Sequence, residues 1–189
     1  MRNLFIAIAL LAAIFPLDAT AQDAPARWAA STNIPTWAAL GTVNAQLDYA
    51  LSRQWTLLAG AKYNPFTYKS GTPAQFQLRQ AEVHLGARYW FDTLWEGWFA
   101  GAKLLGAVYN VANIFGSGCF EGELAGLGLS GGYNIPLGDN TALTLGADAA
   151  VAFHRTTCYA AARCGRITGR KRGLAAFPCD ALVSIMIKL

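Results

Sequence analysis

Between Gln80 and Phe91 the side chains alternate without interruption. Ala81, Val83, Leu85, Ala87, Tyr89 and Phe91 are apolar, while Gln80, Glu82, His84 and Arg88 stand opposite them, with Gly86 and Trp90 as the neutral members of that second set. A period of two belongs to a β-strand with two unlike faces. A half-buried strand of a soluble sheet would explain this stretch alone. The remainder of the chain argues against that, because the same pattern recurs and its apolar face is always large and uncharged.

The first residues are read separately. Met1-Arg2-Asn3 precedes an almost wholly apolar run from Leu4 to Leu17, and Ala19-Thr20-Ala21 follows. A positive start, a short apolar core and a small-x-small end predict a secretory signal peptide over residues 1–21, cleaved after Ala21. A membrane anchor would need about 20 apolar residues, and this run is shorter. Residues 22–189 then form one domain, whose net charge stays at +4 because Arg2 and Asp18 leave together.

The chain is 54% hydrophobic and 14% charged, yet no later segment is an uncharged apolar run long enough to span a membrane as a helix. A transmembrane β-barrel reconciles the two, since alternation hides a lipid-facing surface in strands of moderate average hydropathy. The predicted fold is all-β: an eight-stranded antiparallel up-and-down transmembrane β-barrel. Its strands are expected at Trp28–Ala39 (interrupted by Pro35), Val43–Leu51, Trp55–Phe66, Gln80–Phe91, Trp98–Asn110, Leu124–Ile135, Leu143–His154 and Ala181–Leu189. Short turns at 52–54, 92–97 and 136–140 fall on one side. Longer loops at 67–75, 111–122 and 155–177 fall on the other, as in outer-membrane barrels with short periplasmic turns and longer extracellular loops.

Aromatic residues gather at the strand ends. Tyr49, Trp55, Tyr89, Phe91, Trp95, Trp98 and Tyr133 lie towards the short turns, and Tyr63, Phe66, Phe76 and Phe153 towards the loops. They are expected to form two interfacial girdles, between which the outward faces of the seven clearest strands carry no charge. The expected location is the bacterial outer membrane.

Several short motifs carry a resemblance. Tyr63-Asn64-Pro65-Phe66, Arg88-Tyr89-Trp90-Phe91, Tyr109-Asn110-Val111 and the approach from Cys158 to Cys164-Gly165 resemble the Bacteroides-type outer-membrane family called domain of unknown function 3575. The resemblance covers roughly Ser31 to Leu189 and implies a small outer-membrane barrel without known catalytic residues. Phe177-Pro178-Cys179-Asp180 departs from the Gly-Pro-Thr-like approach expected there, and the chain ends in Leu189 instead of an aromatic residue.

Asp48, Lys62, Glu82, Arg88, Lys103, Asp148, Asp180 and Lys188 fall on the inward faces, four acids against four bases. This balance predicts a salt-bridged filling, because eight strands leave an interior only wide enough for side chains. A conducting pore is the alternative. His84 beside Glu82, with His154 elsewhere, gives neither a recognisable nucleophile–base–orienter set nor a metal signature. The expectation is therefore a non-enzymatic protein without metal or cofactor; an outer-membrane lipid-modifying enzyme and a soluble exported barrel holding an apolar ligand are the competing readings.

The segment 155–177 carries Arg155, Arg163, Arg166, Arg170, Lys171 and Arg172 and no acid. Such a loop suits the phosphates of lipopolysaccharide or an anionic glycan, since arginine binds phosphate through two parallel hydrogen bonds. A solvated loop resting on lipid headgroups is the bland alternative. Outer-membrane lipids are the expected partners, with an unidentified surface protein also open and no nucleic acid. In an oxidising compartment the four cysteines are read as disulfides. Cys158 and Cys164 are close enough to staple the loop, leaving Cys119 for Cys179, but three pairings remain open.

Overall fold

The computed structural model describes residues 26–72, 75–114, 118–160 and 165–189. Alternation and turn chemistry produce β1 (Trp28–Asn33), a short helix α1 (Ile34–Ala38), β2 (Val43–Ala50), β3 (Trp55–Asn64), β4 (Thr67–Tyr68), β5 (Phe76–Trp90), β6 (Gly97–Ala112), β7 (Cys119–Pro136), β8 (Thr141–Tyr159) and β9 (Ile167–Lys188). Every pairing is antiparallel. Sequential neighbours bond around the sheet, β3 bonds β5, and β9 returns to β1, so the hydrogen-bond ladder closes into a ring.

The described residues contain nine strands, not the eight expected. The additional one is the two-residue β4, inside the stretch read as a loop at 67–75, and it lies outside the ring against β5. Its cause is local: the Tyr68 ring stacks on Phe76 at 4.9 Å, and its hydroxyl donates to the Leu40 carbonyl at 2.9 Å.

Two further expectations need correction. The first strand stops at Asn33 instead of reaching Ala39, because Pro35 has no N–H for a ladder and a fixed φ that suits the first turn of a helix. Asn33 continues the link to β9 with its side chain. Its Nδ2 donates to the Ala181 carbonyl at 3.0 Å, and its Oδ1 accepts from the Val183 N–H at 2.9 Å.

The second correction concerns the long loops. β6 runs to Ala112 and β7 begins at Cys119, while β8 continues through Tyr159 and β9 starts at Ile167. What reads as two loops is mostly the upper part of two hairpins. Beyond the apolar band neither strand face has to be apolar, so hydrophobic alternation disappears while the backbone ladder persists. Thr156 and Thr157, both β-branched, favour the extended conformation there.

The resulting wall is uneven. β1 to β3 have 6, 8 and 10 residues, whereas β7 to β9 have 18, 19 and 22. A bulge sits between the pairs Asp148↔Asp180 and Ala149↔Pro178, leaving Cys179 as the extra residue. Pro178 suits that site, since it has no N–H to donate. The extra residue changes the sidedness of β9: Phe177, opposite buried Ala150, and Asp180, opposite buried Asp148, both face inward.

The end with the short turns is sealed from inside. Ala29, Ala50, Trp90, Trp95, Phe99, Ala142 and Met186 form one buried apolar cluster, with the Trp90 and Trp95 rings edge to face at 5.7 Å. Trp95 is therefore not a girdle residue. A positive φ of 70° turns it under the ring, where it is 2% exposed and its indole N–H donates to the Ala26 carbonyl at 2.8 Å. The other aromatics of that end form cross-strand contacts, Trp28 with Tyr49, Trp55 with Tyr89, and Trp98 with Tyr133. Outside, Val83, Leu85, Leu104, Leu127, Leu129 and Leu174 stand exposed around the ring.

Candidate functional site

Above the aromatic seal the interior is charged and nearly full. Lys62 on β3 lies between two carboxylates, 3.3 Å from Glu82 on β5 and 2.5 Å from Asp180 on β9. Lys103 on β6 is paired with Asp148 on β8, and Arg88 on β5 approaches Asp48 on β2 at 3.5 Å. The Arg88 guanidinium also lies over Phe99, 4.3 Å from the ring centroid, which joins the charged layer to the aromatic one. Among the described residues Lys188, at the strand end, has no ion pair.

A space of only about 40 Å³ remains between these groups, bordered by Lys62, His84, Arg88, Lys103, Asp148 and Asp180. Around it, His84 Nδ1, Arg88 Nε and Nη1, and Asp148 Oδ1 are buried without a hydrogen-bond partner. Donors and acceptors that face a polar gap of this size are the setting in which proteins hold ordered water. His84 belongs to this packing: its Nε2 is 3.3 Å from Gln46 Oε1 and its Nδ1 is 3.5 Å from Glu82. Among the described residues no three His, Cys, Asp or Glu side chains converge as a metal site.

The opposite end is open. A cavity of about 1080 Å³ lies between the tall strands, bordered by Tyr63, Gln80, Tyr109, Gly122, Thr156 and Lys171 among others. Five of these occupy one cross-strand row: Gln80 opposes Tyr109, Tyr109 opposes Gly122, Gly122 opposes Thr156, and Thr156 opposes Lys171. Having no side chain, Gly122 lets Tyr109 reach across β7, so that the two hydroxyls of Tyr109 and Thr156 meet at 2.6 Å. A Cβ at 122 would stand 2.8 Å from the tyrosine oxygen. Thr156 also lies 2.9 Å from His154 Nδ1. Sequence reasoning misses this chain. Its signal is the i, i+2 spacing of His154 and Thr156 in a stretch that reads as loop.

The structure divides the six basic residues of 155–177 between two faces. Arg155, Arg170 and Arg172 alternate to the outside of the β8–β9 hairpin, while Lys171 lies in the inner row. Arg166 immediately precedes β9, and Arg163 lies outside the described residues. Arg155 meets Glu123 at 3.4 Å with both side chains exposed, a pairing of small energetic weight. Arg155 and Arg172 are direct cross-strand neighbours, and among the described residues neither Arg170 nor Arg172 has an ion-pair partner. Nearby, the Tyr159 hydroxyl donates to Glu121 at 3.1 Å, and that carboxylate raises the phenol above its ordinary pKa.

Of the expected cysteine pairings, only Cys119 with Cys179 can be followed in the structure, and it is not formed. Cys119, Cys158 and Cys179 are free thiols, and Cys164 lies outside the described residues. Cys119 is level with Tyr159 and Ile167, whereas Cys179 lies 12 residues further along β9. At about 3.3 Å per residue that separation is about 40 Å, far beyond the roughly 7 Å limit for bridged Cα atoms. A Cys119–Cys179 bond is thus excluded by the ladder.

These features define the class as an all-β protein whose antiparallel sheet closes through a ring of hydrogen bonds around a packed polar interior. Residues 5–189 match the family model described as protein of unknown function (DUF3575), and the chain belongs to that family. Comparison with curated proteins and with solved structures gives no match.

Proposed function

We propose that the protein is a small integral β-barrel of the bacterial outer membrane, exported by a signal peptide over residues 1–21. On this reading its eight ring strands span the bilayer without conducting, and it is not an enzyme. The carrying observation is the outer surface. From Trp98 to Val108 the outward residues of β6 are uncharged, and Val83, Leu85, Leu127 and Leu129 continue the band on β5 and β7. Ten residues at about 3.3 Å each, tilted by about 40°, cover about 25 Å, which is the height of the apolar belt in such barrels.

Charge begins where that band ends, at Glu123, Arg155 and Arg172. The outward arginines would then stand level with the lipid headgroups, and a structural or surface-binding role for the hairpin towards lipopolysaccharide phosphates or another anionic glycan follows. The interior supports the absence of conduction, because ion pairs fill its middle and Trp90, Trp95 and Phe99 seal one end.

The test is fractionation of cells expressing the protein, followed by electrophoresis with and without boiling. Retention in the outer membrane after carbonate extraction, with a heat-dependent change in migration, is expected. A protein that stays monomeric in buffer without detergent would refute the membrane reading.

A further inference from the structure

We propose that the open cavity of the tall strands binds an anionic saccharide, one carrying a phosphate or a carboxylate. This inference rests on the closed sheet and the inner row, and it is independent of the membrane itself. The cavity, at about 1080 Å³, is large enough for a small oligosaccharide.

Five bases, Arg79, Arg155, Arg170, Lys171 and Arg172, border the cavity against two acids, Glu121 and Glu123, and Lys171 is the base that lies in the inner row. Its ammonium faces the cavity, and among the described residues it has neither an ion pair nor a hydrogen bond. Of the neighbouring acids, Glu82 is held by Lys62 and His84, Glu123 lies beside Arg155, and Glu121 accepts from the neutral Tyr159 hydroxyl. An unneutralised cation on a concave wall selects an anion.

The remainder of the row selects something larger than a bare ion. Gln80, also without a hydrogen-bond partner among the described residues, lies four strand steps from Lys171, about 19 Å along the wall at about 4.8 Å per step. A phosphate ion would touch one end of this row. A sugar phosphate or sugar acid would place its charge on Lys171 and its hydroxyls on Thr156, Tyr109 and Gln80. Tyr109 and Thr156 are held ready for this by their mutual contact and by His154, which lowers the ordering cost on binding.

The test is calorimetric titration of the protein, purified in neutral detergent, with glucosamine 1-phosphate, glucuronate, glucose and inorganic phosphate. Saturable binding of the two anionic sugars is expected, with glucose and inorganic phosphate at least about tenfold weaker. Lys171→Met should weaken the anionic sugars by about tenfold or more and Tyr109→Phe by several-fold, while Arg53→Gln, in the short turn at the other end, leaves them within about twofold. Correct folding of each variant is checked by its heat-dependent migration. The proposal is overturned by an absence of saturable binding, by inorganic phosphate binding as well as the sugar phosphate, or by Lys171→Met binding like the unaltered protein. A loss in Arg53→Gln equal to that in Lys171→Met also overturns it, because binding would then follow net charge and not the cavity. Competition by deacylated lipopolysaccharide core against glucosamine 1-phosphate supports a lipid headgroup as the source. Sugar phosphate binding without such competition supports a free ligand at the same site.

Discussion

Replacing Lys62 with methionine removes one cation and leaves two carboxylates facing each other inside the ring. The side chain of Lys62 is 9% exposed, that of Asp180 10% and that of Glu82 17%. Removing one partner of a buried pair costs about 3–5 kcal/mol, because the remaining charge is neither hydrated nor matched. In a water-filled channel the same ion pair would be worth about 0–1 kcal/mol, so the loss measures how dry the interior is. The assay is urea unfolding of detergent-embedded protein, followed by tryptophan fluorescence of the buried Trp90 and Trp95. Lys62→Met is expected to lose about 3–5 kcal/mol, and adding Asp180→Asn should restore part of it, since one of the two stranded charges disappears. A loss below about 1 kcal/mol, or a double variant no more stable than the single, would refute the packed ion-pair description.

Three other outcomes follow from the same structure. Leu129→Arg, at the middle of the outward face of β7, should reduce the stability of the protein reconstituted in lipid bilayers by about 2–4 kcal/mol, whereas Thr157→Arg above the band should change it little; equal effects would argue against a lipid-facing band. Trp90→Ala empties the centre of the aromatic seal and should cost about 3–5 kcal/mol in the same urea assay. Mass spectrometry of a non-reduced digest should contain no peptide linking Cys119 to Cys179, and finding one would mean that β7 and β9 are not in the register described.

What the sequence reveals depends on whether a strand has two chemically different faces. From Gln80 to Phe91 and from Trp55 to Asn64 it does, and the inner positions of Lys62, Glu82 and Arg88 are legible from alternation alone. Above Leu124 and Phe153 both faces are polar or small, so the chain reads as loop although the ladder continues for several more pairs. The split of Arg170, Lys171 and Arg172 between two faces was hidden for that reason. The end of the first strand at Asn33 was obscured differently, since Pro35 fits a strand edge as well as a helix start. Trp95 was misplaced because a left-handed backbone angle, invisible in composition, turns its ring inward.

The bulge at Cys179 has a consequence for the identity of the mouth. Along β9 every residue between the bulge and the hairpin tip owes its orientation to that one unit of extra length, which acts as a half-period phase step in a pattern of period two. If Cys179 were paired in a regular ladder instead of being set aside in the bulge, Asp180 to Lys188 would stay in place and everything above would fall out of phase. Arg170 and Arg172 would swing into the cavity, Lys171 would swing out, and the surface would exchange its charges without any change in composition. The chemistry of the upper part of β9 is thus set by where one surplus residue is set aside, far below it.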